Sequence, residues 1–182
     1  MRIEQSNLVA GFNVIELIVV ILLLSFLAVT TLPRMLADDD AAHAAAFAGT
    51  VDGFQTGLEL YHAHWLHNGG AQAGIALDSF AGLRATPQGY PHGLAARETH
   101  LPVLSRDCAD ILDQLLQRDG PTEVADSVAH AVGRNALYVA VQAGNDCHYY
   151  YLAQTSHSGA TVPMFSYLTA TGSLTTGEVK LP

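Results

Sequence analysis

The sequence predicts an α+β protein in which a long N-terminal helix, the first half of it transmembrane, packs on a C-terminal antiparallel β-sheet. Three features favour this class: an apolar run near the N-terminus, an alanine-rich helical region after it, and β-rich segments near the C-terminus. The 182 residues suffice for one globular domain and an anchor. Only 14% of the residues are charged and 49% are hydrophobic, which excludes a charge-rich disordered chain.

The apolar run extends from Phe12 to Leu32, and its centre from Leu17 to Val29 carries no charge. As a helix, these 21 residues would measure about 32 Å, close to the ~30 Å hydrocarbon thickness of a bilayer. Arg2 precedes the run, so the positive-inside rule predicts a cytoplasmic N-terminus. The sequence therefore predicts a single membrane-spanning helix.

Cleavable and uncleaved signal sequences are the alternatives for this run. A secretory signal peptide fits less well, because the run is long, Glu16 lies at its start and Pro33-Arg34 follows it instead of a small-x-small site. A lipoprotein signal would need a cysteine directly after the run, but the first cysteine is Cys108. A plain signal-anchor remains an open alternative.

Residues 10–17, AGFNVIEL, resemble the prepilin processing motif of type IV pilins and type II secretion pseudopilins. In that family the chain is cut after a glycine, and the new N-terminal residue is N-methylated. A glutamate lies four residues beyond the new N-terminus, and a proline follows farther along the helix. The matching residues here are Gly11, Phe12, Glu16 and Pro33. The resemblance implies a pilin fold.

Glu16 is the residue that we rank first, as an assembly contact and not as a catalyst. Cleavage would create an α-amine on Phe12 with a pKa of about 8, so the amine would be mostly cationic at neutral pH. A carboxylate at the mouth of a membrane helix needs a partner, and in a staggered bundle the amine of a neighbouring copy can supply one. Such a pair would set the register of assembly.

Four parts of the chain follow from these features. They are a prepilin leader peptide (1–11), a transmembrane and assembly helix (12–33), the exposed amphipathic half of the long helix (34–67) and the globular part of a single pilin domain (68–182). The second assembly residue, Pro33, permits a kink where the membrane part ends.

The exposed half of the long helix has two distinct faces and stops at Asn68-Gly69-Gly70. One face is apolar and is predicted to pack on the sheet: Phe47, Val51, Phe54, Leu58, Tyr61 and Trp65. A ridge of glycines is predicted to pack against other helices of a filament: Gly49, Gly53 and Gly57.

Histidines crowd the end of this helix, at His62, His64 and His67, with His43 further back. A solvated helix end, where imidazolium complements the helix dipole, explains them better than a metal site. No HExxH pattern accompanies them, and we expect neither a metal nor a cofactor.

The globular part is predicted to begin with a turn-rich segment and a short amphipathic helix at Arg106–Gln117, capped by Ser105 or Asp107. The apolar stripe of this helix is Cys108, Ile111, Leu112 and Leu115. Its acids are assigned to a solvated polar face: Asp107, Asp110 and Asp113. The region Thr122–Val132 is ambiguous between helix and coil.

Four antiparallel strands are predicted after this region, with Pro163 at an edge. They are Ala136–Gln142, Cys147–Gln154, Pro163–Ala170 and Ser173–Lys180. The two cysteines, Cys108 and Cys147, lie outside the cytoplasm in the predicted topology, so we expect them to form a disulfide.

Part of the remaining chain resembles pilins of the mannose-sensitive haemagglutinin (MSHA) type, including the B-type minor pilin. The resemblance covers the helical run from Ala28 to Trp65, the Gly89-Tyr90-Pro91 turn and the cysteine pair. It implies a structural subunit, a minor pilin, that is stored as a single-pass protein of the inner membrane and then assembled into a periplasmic and extracellular pilus. The implied partners are other pilin subunits, prepilin peptidase, an inner-membrane assembly platform and its ATPase.

Three other functions are weighed against this one. A minor pseudopilin of type II secretion shares the same processing motif. A membrane-tethered enzyme is disfavoured, because no nucleophile elbow or phosphate loop is present. An adhesin or DNA-uptake tip is a third class. The charges of Arg2 and Glu4 in the leader cancel, and Glu16 belongs to the membrane helix. The exposed part of the chain therefore has a net charge of −8 instead of −9, so we expect no nucleic-acid partner.

Overall fold

The computed structural model describes residues 13–70, 76–94, 102–118, 122–134, 136–153 and 157–182, with the backbone alone for residues 28–38. The chain divides into two compact units, Met1–Ala42 and His43–Pro182. The fold is α+β, as predicted. Its helices and strands are α1 (Val14–His67), β1 (Ala76–Leu77), β2 (Leu83–Arg84), α2 (Ser105–Leu116), β3 (Glu123–Ala125), β4 (Tyr138–Ala143), β5 (Asp146–Tyr151), β6 (Thr161–Leu168) and β7 (Leu174–Lys180).

The part of α1 in the second unit packs its apolar face on the sheet, as the spacing of its large side chains predicted. Phe54 is fully buried. Its ring lies 5.6 Å from that of Tyr149, 5.4 Å from Phe165 and 5.5 Å from Tyr167, centroid to centroid. Contacts between aromatic rings at these separations stabilise a core beyond the area that they bury.

The helix ends at the predicted glycines. Gly69 and Gly70 have φ angles of +99° and +55°, and the Gly70 amide donates to the Trp65 carbonyl at 3.1 Å. Glycine adopts positive φ without steric cost, so this pair can satisfy the last carbonyls of the helix and turn the chain.

The main sheet has five strands in the order β3-β4-β5-β6-β7. Strands β4 to β7 form the predicted antiparallel meander. The prediction of four strands is wrong in number, because β3 joins β4 as a parallel edge strand. Thr122 places it there: its backbone amide donates to the Asp113 carboxylate at 2.9 Å, which ties the start of β3 to α2. Three residues are too few to show the two-residue period of a strand. The sequence of Thr122–Val132 therefore did not predict β3.

Pro163 was predicted to lie at an edge of the sheet. This prediction is wrong, because its strand β6 pairs with both β5 and β7. The ladder with β5 ends at the pair Tyr150 and Met164, so Pro163 has no partner in β5. The first residues of β6 therefore have a strand neighbour on one side only, and the missing N–H of proline is tolerated there.

Helix α2 begins one residue earlier than predicted, and its whole predicted apolar stripe is buried. Its first backbone groups are capped by Asp107, whose Oδ2 accepts from the Leu104 amide at 2.8 Å. Ser105 does not cap the helix; its Oγ accepts from the amide of Gln142 at 2.9 Å.

The predicted disulfide is present between Cys108 and Cys147, whose Cα atoms lie 5.4 Å apart. Both sulfurs are in the core, and the bond links α2 to β5. It closes a segment with a sequence separation of 39 residues, so it restricts the unfolded chain strongly.

Tyrosine hydroxyls inside the core are paired with carbonyls of the chain segments that cover the sheet. Tyr149 donates to the Cys108 carbonyl at 2.8 Å, Tyr167 to that of Pro91 at 2.9 Å, and Tyr61 to that of Leu83 at 3.0 Å. Burial raises the pKa of all three hydroxyls above the usual value of 10.0. These tyrosines therefore stay neutral and keep donating throughout the physiological range.

The other face of the sheet carries a second hydrophobic cluster. Its buried members include Val139, Val141, Tyr150, Val162 and Leu181. Side chains from the 3₁₀ turn at Val128–Ala131 pack against it. Both faces of the sheet therefore contribute to the core, whereas the sequence predicted one sheet against one long helix.

The predicted membrane span runs from Phe12 to Leu32; Phe12, and the side chains of residues 28–38, lie outside the described part of the chain. Among the residues that the structure describes, no helix combines the length and the apolarity needed to cross a bilayer.

Candidate functional site

Helix α1 begins directly after Asn13, which caps it. The Asn13 carbonyl accepts from the amide of Leu17 at 3.1 Å, and its Oδ1 accepts from that of Ile15 at 3.4 Å. Asparagine is among the best residues at this position, because its side chain satisfies an amide that the helix leaves unpaired. The predicted processing residues Gly11 and Phe12 lie outside the described residues.

The first turns of α1 expose every one of their large apolar side chains. From Val14 to Leu27 each of them is at least 41% exposed, and Phe26 reaches 71%. These side chains point in all directions around the axis and not along one stripe. A helix that is apolar all round is normally buried in a protein interior or in lipid, and a continuous apolar surface of this kind marks an interaction site.

Two polar side chains, Glu16 and Ser25, interrupt this surface, and they differ in charge and in hydrogen bonding within the helix. Ser25 donates to the carbonyl of Ile21 at 2.7 Å, so its hydroxyl is satisfied within the helix. Glu16 is exposed and is the only charged residue from Val14 to Leu27. Its predicted partner, the amine of Phe12 on a neighbouring chain, lies outside the described residues. Pro33, the other predicted assembly residue, falls where the backbone alone is described.

Two glycines of the ridge, Gly53 and Gly57, approach α2 within the same unit, and packing of the ridge against helices of other subunits stays a prediction. A Cβ on Gly57 would lie 3.2 Å from the Cβ of Leu115, and one on Gly53 would lie 3.1 Å from the Leu116 side chain. Part of the ridge therefore has a close neighbour inside its own unit. A Cβ on Gly49 would meet nothing within 4 Å.

The histidines of α1 were predicted to be solvated, but at least two of them contact other side chains. His62 stacks on Tyr90, with ring centroids 4.9 Å apart, and on Trp65, at 5.5 Å. Its Nδ1 donates to the carbonyl of Gly89 at 3.2 Å. His43 forms a 2.7 Å hydrogen bond with the hydroxyl of Tyr151. In the described part of the chain, no three His, Cys, Asp or Glu side chains are grouped so that they could hold a metal.

The acids of α2 were predicted to form a solvated polar face, but each of them has a partner in the protein. Asp107 is 4% exposed and caps the helix, and Asp113 accepts from both the amide and the hydroxyl of Thr122. Asp110 pairs with Arg106 at 3.2 Å, and its burial raises the pKa of its carboxyl. At least two of these carboxylates therefore hold chain segments in place.

A pocket of about 350 Å³ lies in the second unit between α1 and the start of β7. The loop after β2 forms one wall, where the amide of Thr86 donates to the Tyr90 carbonyl at 2.7 Å and fixes the tyrosine. The Gly89-Tyr90-Pro91 turn is evident in the sequence, but the pocket is not, because its other side chains come from distant segments. The lining residues are Gln55, Leu58, Glu59, His62, Tyr90, Gly172, Ser173 and Leu174.

Comparison with protein-family models, with curated proteins and with solved structures finds no match for this chain.

Proposed function

We propose that this chain is a structural subunit, a minor pilin, of an MSHA-like type IV pilus. Prepilin peptidase removes residues 1–11, and Phe12 becomes the N-methylated N-terminus. Helix α1 then anchors the subunit in the inner membrane until the assembly platform and its ATPase draw it into the filament. The folded unit from His43 onward faces the periplasm and later the outside of the pilus.

The observation that supports this proposal is the uncovered apolar start of α1. Large apolar side chains at 41–71% exposure over Val14–Leu27 have a strong free-energy drive to leave water. Lipid covers such a surface in a stored subunit, and the same segments of neighbouring subunits cover it in a filament. One surface thus serves both states.

Glu16 gives this assembly its register. A charged group within the apolar surface is costly unless it is paired, so subunits settle where the Glu16 carboxylate meets the Phe12 amine of a neighbour. Asn13 supports this arrangement, because it starts the helix immediately beyond the proposed cleavage site.

The decisive test is the mass of the mature N-terminus, measured on protein from the membrane and from sheared surface material. The proposal requires a chain that begins at Phe12 and carries one extra methyl group. A mature chain that begins at Met1, or beyond Pro33, would contradict it. The variant Gly11→Leu should remain as uncut precursor in the inner membrane.

The role of Glu16 has a matched control in the same segment. Glu16→Ala should be processed normally but enter filaments poorly, because its neighbour's amine loses its partner. Ser25→Ala also removes a polar group, but one that is already satisfied within the helix, so it should assemble like the wild type. Equal incorporation of both variants would refute the pairing role.

A further inference from the structure

The outer edge of the main sheet is β7, which pairs with β6 on one side. The amide of Leu168 donates to the carbonyl of Ser173 at 3.0 Å, and that of Leu181 donates to Ala160 at 2.7 Å. Antiparallel pairs alternate between hydrogen-bonded and non-hydrogen-bonded positions. The backbone amides and carbonyls that point away from β6 are therefore those of Leu174, Thr176, Glu178 and Lys180.

This edge is long and open. Strand β7 has seven residues, and four consecutive ones, Thr175 to Glu178, are exposed. No other strand of the described chain pairs with its outer side. Most native sheets protect such an edge by shortening, bulging or covering it, because it is a template for another strand.

The pocket described above lies at the start of this edge. Leu58 and Leu174 supply its apolar surface, while Glu59 supplies a carboxylate that accepts from Nε2 of Gln55 at 3.3 Å. Among the residues that the structure describes, Glu59 is the one carboxylate in the lining of the pocket, and the rings of His62 and Tyr90 belong to the same lining. A carboxylate with aromatic rings next to an apolar wall suits a long cationic side chain.

Close packing surrounds the aromatic ring of Tyr90 in the pocket wall. Tyr90 lies between the His62 ring, tilted by only 14°, and Gly172 of the turn before β7. A Cβ on Gly172 would collide with the Tyr90 ring, so the turn packs directly against it. A wall held in this way loses little freedom when a ligand binds.

The edge and the pocket share one face of the sheet. Leu174 packs on the same side as Tyr167, its partner in β6, beneath α1. In a strand added to β7, every second side chain would point to this face, and one of them would reach the pocket. We propose that β7 and this pocket form a docking groove for an extended peptide segment of a partner protein, with an arginine or lysine side chain seated against Glu59.

The backbone of β7 would supply affinity in this groove, and the pocket would supply specificity. The groove belongs wholly to the unit His43–Pro182, so it does not depend on processing, on a membrane or on a filament.

A fluorescent Thr/Val-rich peptide with one central arginine tests the proposal on the full chain in detergent. Fluorescence anisotropy should show binding that weakens at least tenfold when the arginine is replaced by glutamate. Amide hydrogen exchange should slow at Leu174, Thr176, Glu178 and Lys180 when the peptide binds. Amides that already pair with β6 should change little, which distinguishes strand addition from simple occupation of the pocket.

Two variants separate the roles of the pocket and the edge. Glu59→Gln should weaken binding about five- to tenfold, whereas Glu123→Gln, on the opposite edge strand, should not change it. Thr176→Pro removes an outward amide without removing a bond to β6, and it should abolish the added protection. Failure of the peptide to bind, equal affinity for the glutamate peptide, or binding without protection of the outward amides would each overturn the proposal.

Discussion

Val14–Leu27 and Phe47–Trp65 are segments of one helix, and both are rich in large apolar side chains, but they use them differently. In the first segment such side chains occupy every direction around the axis, and all of them are exposed. In the second they follow one face; Phe54, Leu58, Tyr61 and Trp65 are buried, and Phe47 and Val51 are partly buried against the same core.

This difference shows how the distribution of apolar residues, more than their number, separates folding from assembly. A single apolar face can be covered by the protein's own sheet, and the polar remainder of the helix stays in water. A helix that is apolar on all sides cannot be covered by one sheet. Its burial needs lipid or several neighbouring helices, which is why we propose that it serves in anchoring and assembly.

The largest expected effect is a difference in the free energy of unfolding between one substitution in each segment. Phe54→Ala should lower the free energy of unfolding by about 4 kcal/mol, because it leaves a cavity among Tyr149, Phe165 and Tyr167. Leu22→Ala should change it by less than ~0.5 kcal/mol, because Leu22 is 64% exposed. Urea titration followed by fluorescence of Trp65, the single tryptophan, reads the second unit alone. A comparable loss for Leu22→Ala would remove the distinction between the segments.

Removing the disulfide should affect only the folded unit. The double variant Cys108→Ala/Cys147→Ala should lose roughly 2–4 kcal/mol, because the unfolded chain regains the freedom of a loop of about 40 residues. The same urea titration measures this loss. The proportion of protein extracted with the membrane fraction should stay unchanged, and a shift in that proportion would show that membrane association depends on the unit His43–Pro182.

The glycine ridge provides a finer test within the second segment. Gly57→Ala should destabilise the protein by about 1 kcal/mol, because a methyl group would press on the Cβ and carbonyl of Leu115. Gly49→Ala should stabilise it by about 0.5–1 kcal/mol, since its Cβ would meet open space and alanine favours the helix. If both substitutions stabilise the protein, α2 does not approach α1 as closely as we describe.

The smallest expected effect concerns pH. Burial raises the pKa of Asp110 above 3.8, so the folded protein holds this proton to higher pH than the unfolded chain does. The contribution of Asp110 to stability therefore falls as pH rises from 3.8 to the raised pKa. Asp110→Asn should remove this fall, so its urea midpoint should improve relative to wild type as the pH rises through that window.

Periodic features were the ones that could be predicted from the sequence. The apolar face of α1, the stripe of α2 and the meander from β4 to β7 all repeat a spacing over several turns or residues. The stop at Gly69 and Gly70 also follows from local residue chemistry, and the disulfide was expected because both cysteines lie outside the cytoplasm in the predicted topology. Strand β3 could not be predicted, because its three residues are held by Thr122 and by β4 and not by a pattern of their own.

Contact partners between distant segments were the features that could not be predicted. The close spacing of Gly53 and Gly57 correctly indicated an approaching backbone, but not that α2 supplies it. The acidity of Asp107 suggested solvent exposure, yet this carboxylate is buried because it caps the helix that carries it. The side chains around Glu59 come from α1, a loop and the start of β7, and no spacing along the chain joins them.

Local composition and periodicity were enough to establish the α+β class, the long helix with its two kinds of apolar surface, and the paired cysteines. The class and the helix depend on short-range geometry, in which side chains three or four residues apart on a helix, or two apart on a strand, share a face. The cysteine pair was expected from the predicted location of both residues outside the cytoplasm. The partner of the glycine ridge, the burial of the acids, the fifth strand and the groove beside β7 emerged only in the folded chain. Each of these depends on which distant surfaces fit together, and that is a property of packing over the whole unit.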